Sequence, residues 1–160
     1  MTIGPHPATR FRRTKHLDGL RRLVAENDLS VDDLIWPIFI REGENDETPV
    51  HSMPGVSRLT VDRAVQTAER AARLGIPAIC LFPFIEADLK TATCEDAWNP
   101  ENLSNSATRA IKAAVPEMVI MTDVALDPYN ISGQDGIVRD GVVVNDESVE
   151  ALVKMAVAQG

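Results

Sequence analysis

Three carboxylates crowd the stretch Met118–Gly136 (MVIMTDVALDPYNISGQDG). Met118 to Met121 is a short apolar run of the kind that forms a buried strand. It gives way abruptly to Thr122 and Asp123, and Asp127 follows four residues later. If the backbone stays extended there, Asp123, Ala125 and Asp127 project to one side, because strand side chains alternate with a period of two. Pro128, Gly133 and Gly136 then impose a loop carrying a third acid, Asp135. Carboxylates gathered at a strand end repel one another and lose hydration, an arrangement suited to holding a cation or moving protons. Ordinary turn chemistry uses the same Asp, Pro, Asn, Ser and Gly, so the pattern alone leaves both explanations open. The acids of 127–147 do not fall at the alternating positions of an EF-hand calcium loop.

The elements that would position these acids alternate between strand and helix. Asp33–Ile40 is a continuous apolar run and a candidate buried strand, although Pro37 lacks the N–H that a fully paired strand uses. Residues 41–59, with Gly43, Pro49, Pro54 and Gly55, are expected to be loop. Thr60 is placed to cap a helix with Val61, Ala64, Val65, Ala68, Ala71 and Ala72 on its apolar face, ending at Gly75. Pro77–Pro83 is a second strand. Phe84–Glu101 is long enough to be a functional loop or lid. Leu103, Ala107, Ala110, Ile111 and Ala114 mark a further helix, closed by Pro116. After the third strand, Met118–Asp123, residues 137–144 read as a hairpin turning at Asp140-Gly141. A last helix opens at Asp146 and Glu147, with Val149, Leu152, Val153 and Ala156 inward.

That order is the signature of an α/β fold with a parallel sheet, and continuously apolar strands imply burial of both faces. Its longest loops follow the strands' C-terminal ends, where such folds build their sites. Three βα units are visible, and Gly160 falls where a fourth strand is due. Ahead of them, residues 1–30 read as an arm and a short helix, His16–Asn27, with Leu17, Leu20, Leu23 and Val24 on one side. Two regions are therefore expected, 1–30 and 31–160. Formal charge is −8 over 160 residues, which argues against a nucleic-acid-binding surface. Charge is uneven, however. Arg10, Arg12, Arg13, Lys15, Arg21 and Arg22 face a single acid, Asp18, in the first 22 residues. A basic arm on an acidic body is suited to clasping a neighbouring subunit. No apolar run reaches membrane-spanning length, and Cys80 and Cys94 lack metal-type spacing, so the expected setting is cytoplasmic and reduced. Phe82, Pro83 and Phe84 are either a substrate-facing wall or strand-end packing, and Cys94 has no basic neighbour to activate it.

The motifs themselves resemble a known family. Thr122–Tyr129 (TDVALDPY), Gly133–Val138 (GQDGIV) and Asn145–Glu147 (NDE) are similar to porphobilinogen synthase, also called 5-aminolaevulinate dehydratase. Matches continue along the chain at Arg12-Arg13, Leu34–Ile40 (LIWPIFI), Ser52–Val56 (SMPGV), Leu74–Ala78 (LGIPA), Ala97–Leu103 (AWNPENL) and Arg109–Ala114 (RAIKAA). The resemblance implies the N-terminal part of a (β/α)₈ TIM barrel preceded by an extended arm that embraces a neighbour in a homo-oligomer. It implies a hydro-lyase that condenses two 5-aminolaevulinate molecules to porphobilinogen in tetrapyrrole (haem) biosynthesis, with two lysines forming Schiff bases to substrate.

In the zinc-dependent branch, cysteines stand at the positions of Ala125, Asp127 and Asp135. Ala125 cannot ligate, and carboxylates prefer hard cations. The resemblance is therefore to the aspartate-rich, zinc-independent branch. Asp123 matches the active-site acid that assists proton transfer, and Asp127 and Asp135 match the residues replacing zinc ligands. Magnesium or potassium at Asp127 and Asp135, or no metal, is expected; zinc is not. Gln134 departs from the family's usual histidine and cannot carry a proton at neutral pH. The lysines are Lys15, Lys90, Lys112 and Lys154, none expected at a strand's C-terminal end. The resemblance places the Schiff-base lysines, and a serine-aspartate-methionine motif, beyond Gly160. By itself the chain is expected to be inactive, as the N-terminal half of the enzyme. The alternative is a non-catalytic module that docks onto full-length subunits.

Overall fold

The computed structural model describes residues 4–5, 7–9 and 12–160. The strand expected at Asp33–Ile40 runs from Ile35 to Arg41 (β1), after a single 3-10 turn at Val31–Asp33. Ala78–Phe84 (β4) lies beside it in parallel, with Pro37 opposite Cys80 and Ile40 opposite Pro83. Val119–Thr122 (β5) extends the parallel arrangement beyond β4, with Cys80 opposite Met121. Residues 41–59, expected to be loop, instead contain Glu47–Pro49 (β2) and Ser57–Leu59 (β3). Three-residue strands are too short for alternation to register against a background of Pro and Gly. β3 pairs in parallel with β1 only at Phe39 and Ile40, and β2 pairs antiparallel with β3. The sheet order is β2-β3-β1-β4-β5. At Pro37, β1 has a strand neighbour on one side only, which is where a missing N–H is tolerated.

Helices cover one face of this sheet. Ile38 and Ile40 of β1 and Ile79 and Leu81 of β4 are buried together with Ala64, Ala68 and Ala71 of Val61–Arg73 (α2). Leu103, Ala107 and Ile111 of Leu103–Ala114 (α3) complete that core. The small ridge Ala64-Ala68-Ala71 lets α2 lie close on the strands. Ala72, expected on the same face, is exposed, since it is turned 100° from Ala71. Thr60 is the N-cap residue of α2, as expected, but its side chain makes no capping bond. Its buried hydroxyl instead accepts the Asp46 N–H at 3.1 Å and donates to the Asp46 carbonyl at 3.0 Å, tying the approach to β2 onto the helix start.

The opposite face of the sheet is not covered in the same way. Ile35, Val119 and Met121 are 47%, 58% and 48% exposed. Burial of both faces, expected from the apolar strands, is therefore observed on one. In a closed barrel the other face is the interior.

Val138–Arg139 (β6) and Val142–Val143 (β7) form the expected antiparallel hairpin. Asp140 and Gly141 both take positive φ, 51° and 78°, the combination that a two-residue hairpin turn requires. Asn145–Gln159 (α4) follows. Its buried residues are Ser148, Ala151 and Met155, whereas Val149 and Val153 face solvent. The helix is rotated from expectation because Ser148 is needed inside, where its hydroxyl accepts the Ile137 N–H at 2.9 Å and donates to the Val144 carbonyl at 2.6 Å.

The chain divides into two compact units, Met1–Ser30 and Val31–Gly160. In the first, the helix is only Asp18–Leu23 (α1), shorter than the expected His16–Asn27, and buries none of its residues. Its N-terminus has no side-chain cap, and Leu17 and Leu23 are exposed, so no apolar seam extends it. Pro7–Thr9 and Arg13–Lys15 form turns, held by Thr9 N–H to the Pro5 carbonyl and Lys15 N–H to the Arg12 carbonyl. The arm is thus bent at those points rather than straight. Arg10 of the basic cluster lies outside the described residues.

Candidate active site

The C-terminal end of β5 opens into a loop folded on itself. β5 stops at Thr122, and a turn follows at Leu126–Tyr129, closed by the Tyr129 N–H to the Leu126 carbonyl at 3.0 Å. The extended course expected through Asp127 is therefore not taken. Ala125 and Leu126 turn inward, 8% and 0% exposed, while Asp123 and Asp127 remain at the surface. Burying the apolar pair is what bends the chain. Asp123, Ala125 and Asp127 consequently do not share one face.

The loop's return nevertheless brings the acids together. The Asp135 carboxylate accepts the Leu126 N–H through Oδ1 at 2.7 Å, setting Asp135 one residue from Asp127. Partial burial of the Asp127 carboxyl, followed by the charges of Asp135 and Asp123, pushes its pKa above the ordinary value, against a smaller opposing influence from Lys90. Asp123 also acts on β4, where burial first and the Asp123 charge second raise the Cys80 thiol. The Asp123 carbonyl accepts from Gln159 Nε2 at 3.2 Å, and the Thr122 hydroxyl donates to Gln159 Oε1 at 2.9 Å. The end of α4 thereby anchors the strand end.

The segment after β4 carries two 3-10 turns, Ala87–Leu89 and Glu95–Trp98, and is tied to the acid-bearing loop. Ile85, Cys94 and Ala97 are buried within it. Thr91 is stitched to the acid-bearing loop by its own N–H to the Tyr129 carbonyl at 3.0 Å, and by the Ile131 N–H to its carbonyl at 3.1 Å. Cys94 adopts φ +60°, supported by its N–H donating to Thr91 Oγ1 at 2.8 Å. Burial, then the charges of Glu95 and Asp135, raise its thiol, which makes it a packing residue rather than a nucleophile. Phe82 packs on Phe39 with ring centroids 5.7 Å apart.

Several residues at this end of the sheet carried no legible signal in the sequence. Arg58 lays its guanidinium over the Phe84 ring at 3.9 Å. Arg41 closes β1 by pairing with Asp46 at 3.4 Å and Glu86 at 3.6 Å. Lys90 was visible only as a loop lysine; the Thr91 stitch brings its charge to bear on Asp127. A cation in a loop of unknown course offers no spacing to read. Gln134 is exposed.

As a metal site the described residues are incomplete. No group of three or more His, Cys, Asp and Glu side chains among them is arranged to hold an ion. Asp127 and Asp135 supply oxygen donors of the type a hard cation prefers, but one oxygen of Asp135 is engaged by Leu126.

Parallel strands backed by helices are the elements of a partial (β/α) barrel, and the carboxylates lie at the C-terminal end of a strand, where such barrels build their sites. The delta-aminolevulinic acid dehydratase family model matches residues 8–160, and the chain belongs to that family. It is 51% identical over 155 residues to the delta-aminolevulinic acid dehydratase of Rhodobacter capsulatus, covering 97% of this chain and 47% of the relative. The corresponding protein of Bradyrhizobium diazoefficiens is 48% identical over 152 residues, covering 95% and 43%. Among solved structures, the delta-aminolevulinic acid dehydratase (porphobilinogen synthase) of Toxoplasma gondii ME49, in complex with the reaction product porphobilinogen, superposes with a TM-score of 0.89. It is 38% identical, covering 94% of this chain and 43% of that one. The chain thus spans less than half the length of these relatives. Among the described residues no helix is long and apolar enough to cross a membrane.

Proposed function

We propose that this chain forms the N-terminal half of a porphobilinogen synthase, a hydro-lyase condensing two 5-aminolaevulinate molecules in tetrapyrrole biosynthesis. The observation that carries the reading is the return of Asp135 to the Leu126 N–H, beside Asp127 and just beyond the end of β5, within a stretch matched by the family. In this reading Asp123 moves protons at the substrate. Asp127, its proton held more tightly by burial and by two neighbouring acids, and Asp135 occupy the positions of the zinc-type cysteines. A hard cation such as magnesium or potassium would find two donors in that pair and would need the rest from water or from other parts of the complete protein. The function does not depend on zinc.

Imine formation needs an amine nucleophile, and this chain's own lysines are poorly suited. Lys112 donates to the carbonyls of Pro116 and Met118. Lys154 pairs with Glu150 at 2.8 Å. Lys90 lies in the loop after β4 rather than at a strand end. The covalent step is therefore assigned to lysines of the complete enzyme. Residues 1–30 belong to this reading as the arm through which copies form a homo-oligomer, and residues 31–160 as the partial barrel. A reduced, cytoplasmic setting is supported by the unpaired thiols of Cys80 and Cys94.

The test joins this chain to the C-terminal remainder of the Rhodobacter capsulatus relative and assays porphobilinogen. Activity is expected, falling by about 10²–10⁴ in Asp123→Asn, the usual weight of a general acid–base group. A folded but inactive chimera whose parent chain binds full-length subunits would favour the docking module instead.

A further inference from the structure

Asn130 is buried, 1% exposed, and both ends of its side-chain amide are used. Its Nδ2 donates to the Gly136 carbonyl at 2.6 Å. Its Oδ1 accepts from the Ser132 N–H at 2.9 Å and the Ser132 hydroxyl at 2.8 Å. The two ends cannot be exchanged, because a carbonyl can only accept and a backbone N–H can only donate. The main-chain carbonyl of Asn130 also accepts the Gly133 N–H at 3.0 Å. Residues 130–136 are thereby drawn into a ring, and Asp135 is the residue just before its closing point.

That closing point is itself fixed. A Cβ on Gly136 would lie 2.5 Å from Val143 Cγ1 and 3.1 Å from Ser148 Oγ, so the backbone is pressed against the hairpin and α4. Asp135 therefore departs from a rigid base when it reaches back to the Leu126 N–H. On its other side, Asn130 bridges to Thr91, the residue that carries Lys90 with it. This one amide thus braces the turn from which Asp135 reaches the Leu126 N–H, beside Asp127. In the sequence, Asn130 reads only as another turn residue.

We propose that Asn130 is a positioning residue for the Asp127–Asp135 pair, acting by closing the 130–136 ring that aims Asp135 at the Leu126 amide. This rests on the reading that these acids belong to the active site. Its test uses no catalytic readout, so the two can fail separately.

The experiment measures amide hydrogen exchange and proton resonances in the ¹⁵N-labelled 160-residue chain. In Asn130→Ala and Asn130→Asp, exchange at Leu126 is expected to rise about tenfold, the weight of one lost hydrogen bond, with Ile79 and Leu81 of β4 unchanged. The Leu126 amide resonance should move to its position in Asp135→Ala, a signature that a general loss of stability would not produce. Unchanged exchange and resonance at Leu126 in both variants would overturn the proposal. Should the Asn130 variants lose protection throughout β4, Ser132→Ala decides. It removes a hydroxyl that donates to Asn130 Oδ1 at 2.8 Å and accepts the Gln134 N–H at the longer 3.3 Å, both within the 130–136 ring, and should raise Leu126 exchange in the same direction with the core intact. No change there overturns the proposal equally.

Discussion

The Asp135 carboxylate accepts the amide hydrogen of Leu126 at 2.7 Å across nine residues of chain, so an acid matched to a zinc-ligand position also holds the backbone beside Asp127. Leu126 is fully buried, and Asp135 is the acceptor that its N–H uses. Asp135→Ala should therefore destabilise the chain by about 1–3 kcal/mol, the cost of stranding a buried donor. Asp135→Asn keeps an acceptor oxygen and should cost less. Urea denaturation of the two variants checks the order, and equal losses would contradict it.

Asp127 predicts a pH dependence of opposite sign to that of most acids. Its folded pKa is raised, by burial first and then by Asp135 and Asp123. Between its ordinary value and that raised value, the folded state binds more proton than the unfolded state, so stability falls as pH rises through this window. The contribution is fully present below the ordinary carboxylate value. Asp127→Asn should flatten this slope and raise stability at neutral pH. Denaturation midpoints across pH 3–7 (about the carboxylate range) test it, and an unchanged slope would count against it.

Gly136 is fixed by space as well as by its backbone, which takes φ +159°. An added methyl would meet Val143 Cγ1 at 2.5 Å and Ser148 Oγ at 3.1 Å, and the latter oxygen is bonded to Ile137 and Val144. Gly136→Ala should cost about 1–3 kcal/mol, as overpacking does. Thermal unfolding measures it. A variant as stable as the parent would show that the hairpin yields freely.

What the sequence could disclose was set by the range of the interactions involved. The strands at 35–41, 78–84 and 119–122 and helices α2 to α4 follow from apolar runs and periodicity, which are local. The Asp-Gly turn at 140–141 was legible because only a few residues tolerate positive φ. β2 and β3 were not, since they exist through pairing with β1 and are too short to carry a pattern. The α4 face was misjudged because Ser148, a polar residue, is buried to satisfy Ile137 and Val144. The acids were identifiable as a set through their motif, but their geometry was not. The inward turn of Ala125 and Leu126, and the Asn130 ring, depend on contacts between segments.

Zinc should be dispensable. Ala125 is buried and has no donor, and the neighbouring acids offer oxygens rather than thiolates. In the chimera completed with the Rhodobacter capsulatus C-terminal part, a zinc-selective chelator should leave porphobilinogen formation within about twofold of the untreated rate, since no tight thiolate site is there to strip. Stoichiometric bound zinc, with activity lost on its removal, would refute this.

The 160-residue chain alone should form no imine with 5-aminolaevulinate. An imine needs an unprotonated amine held at the substrate, and lysines acquire one by desolvation or beside another cation. Lys112 is hydrogen-bonded to two carbonyls and Lys154 is paired with Glu150 and lies 5.5 Å from the Trp98 ring centroid. Both sit on helices, α3 and α4, and not at a strand's C-terminal end. Lys90 lies in the loop after β4, just before the Thr91 stitch, rather than at a strand's C-terminal end. Incubating the chain with 5-aminolaevulinate and borohydride, followed by intact-mass measurement, should return the unmodified mass. If a reduced adduct formed, peptide mapping to Lys90 would place a competent nucleophile on this half of the barrel and overturn the assignment of the covalent step to the complete enzyme's other lysines.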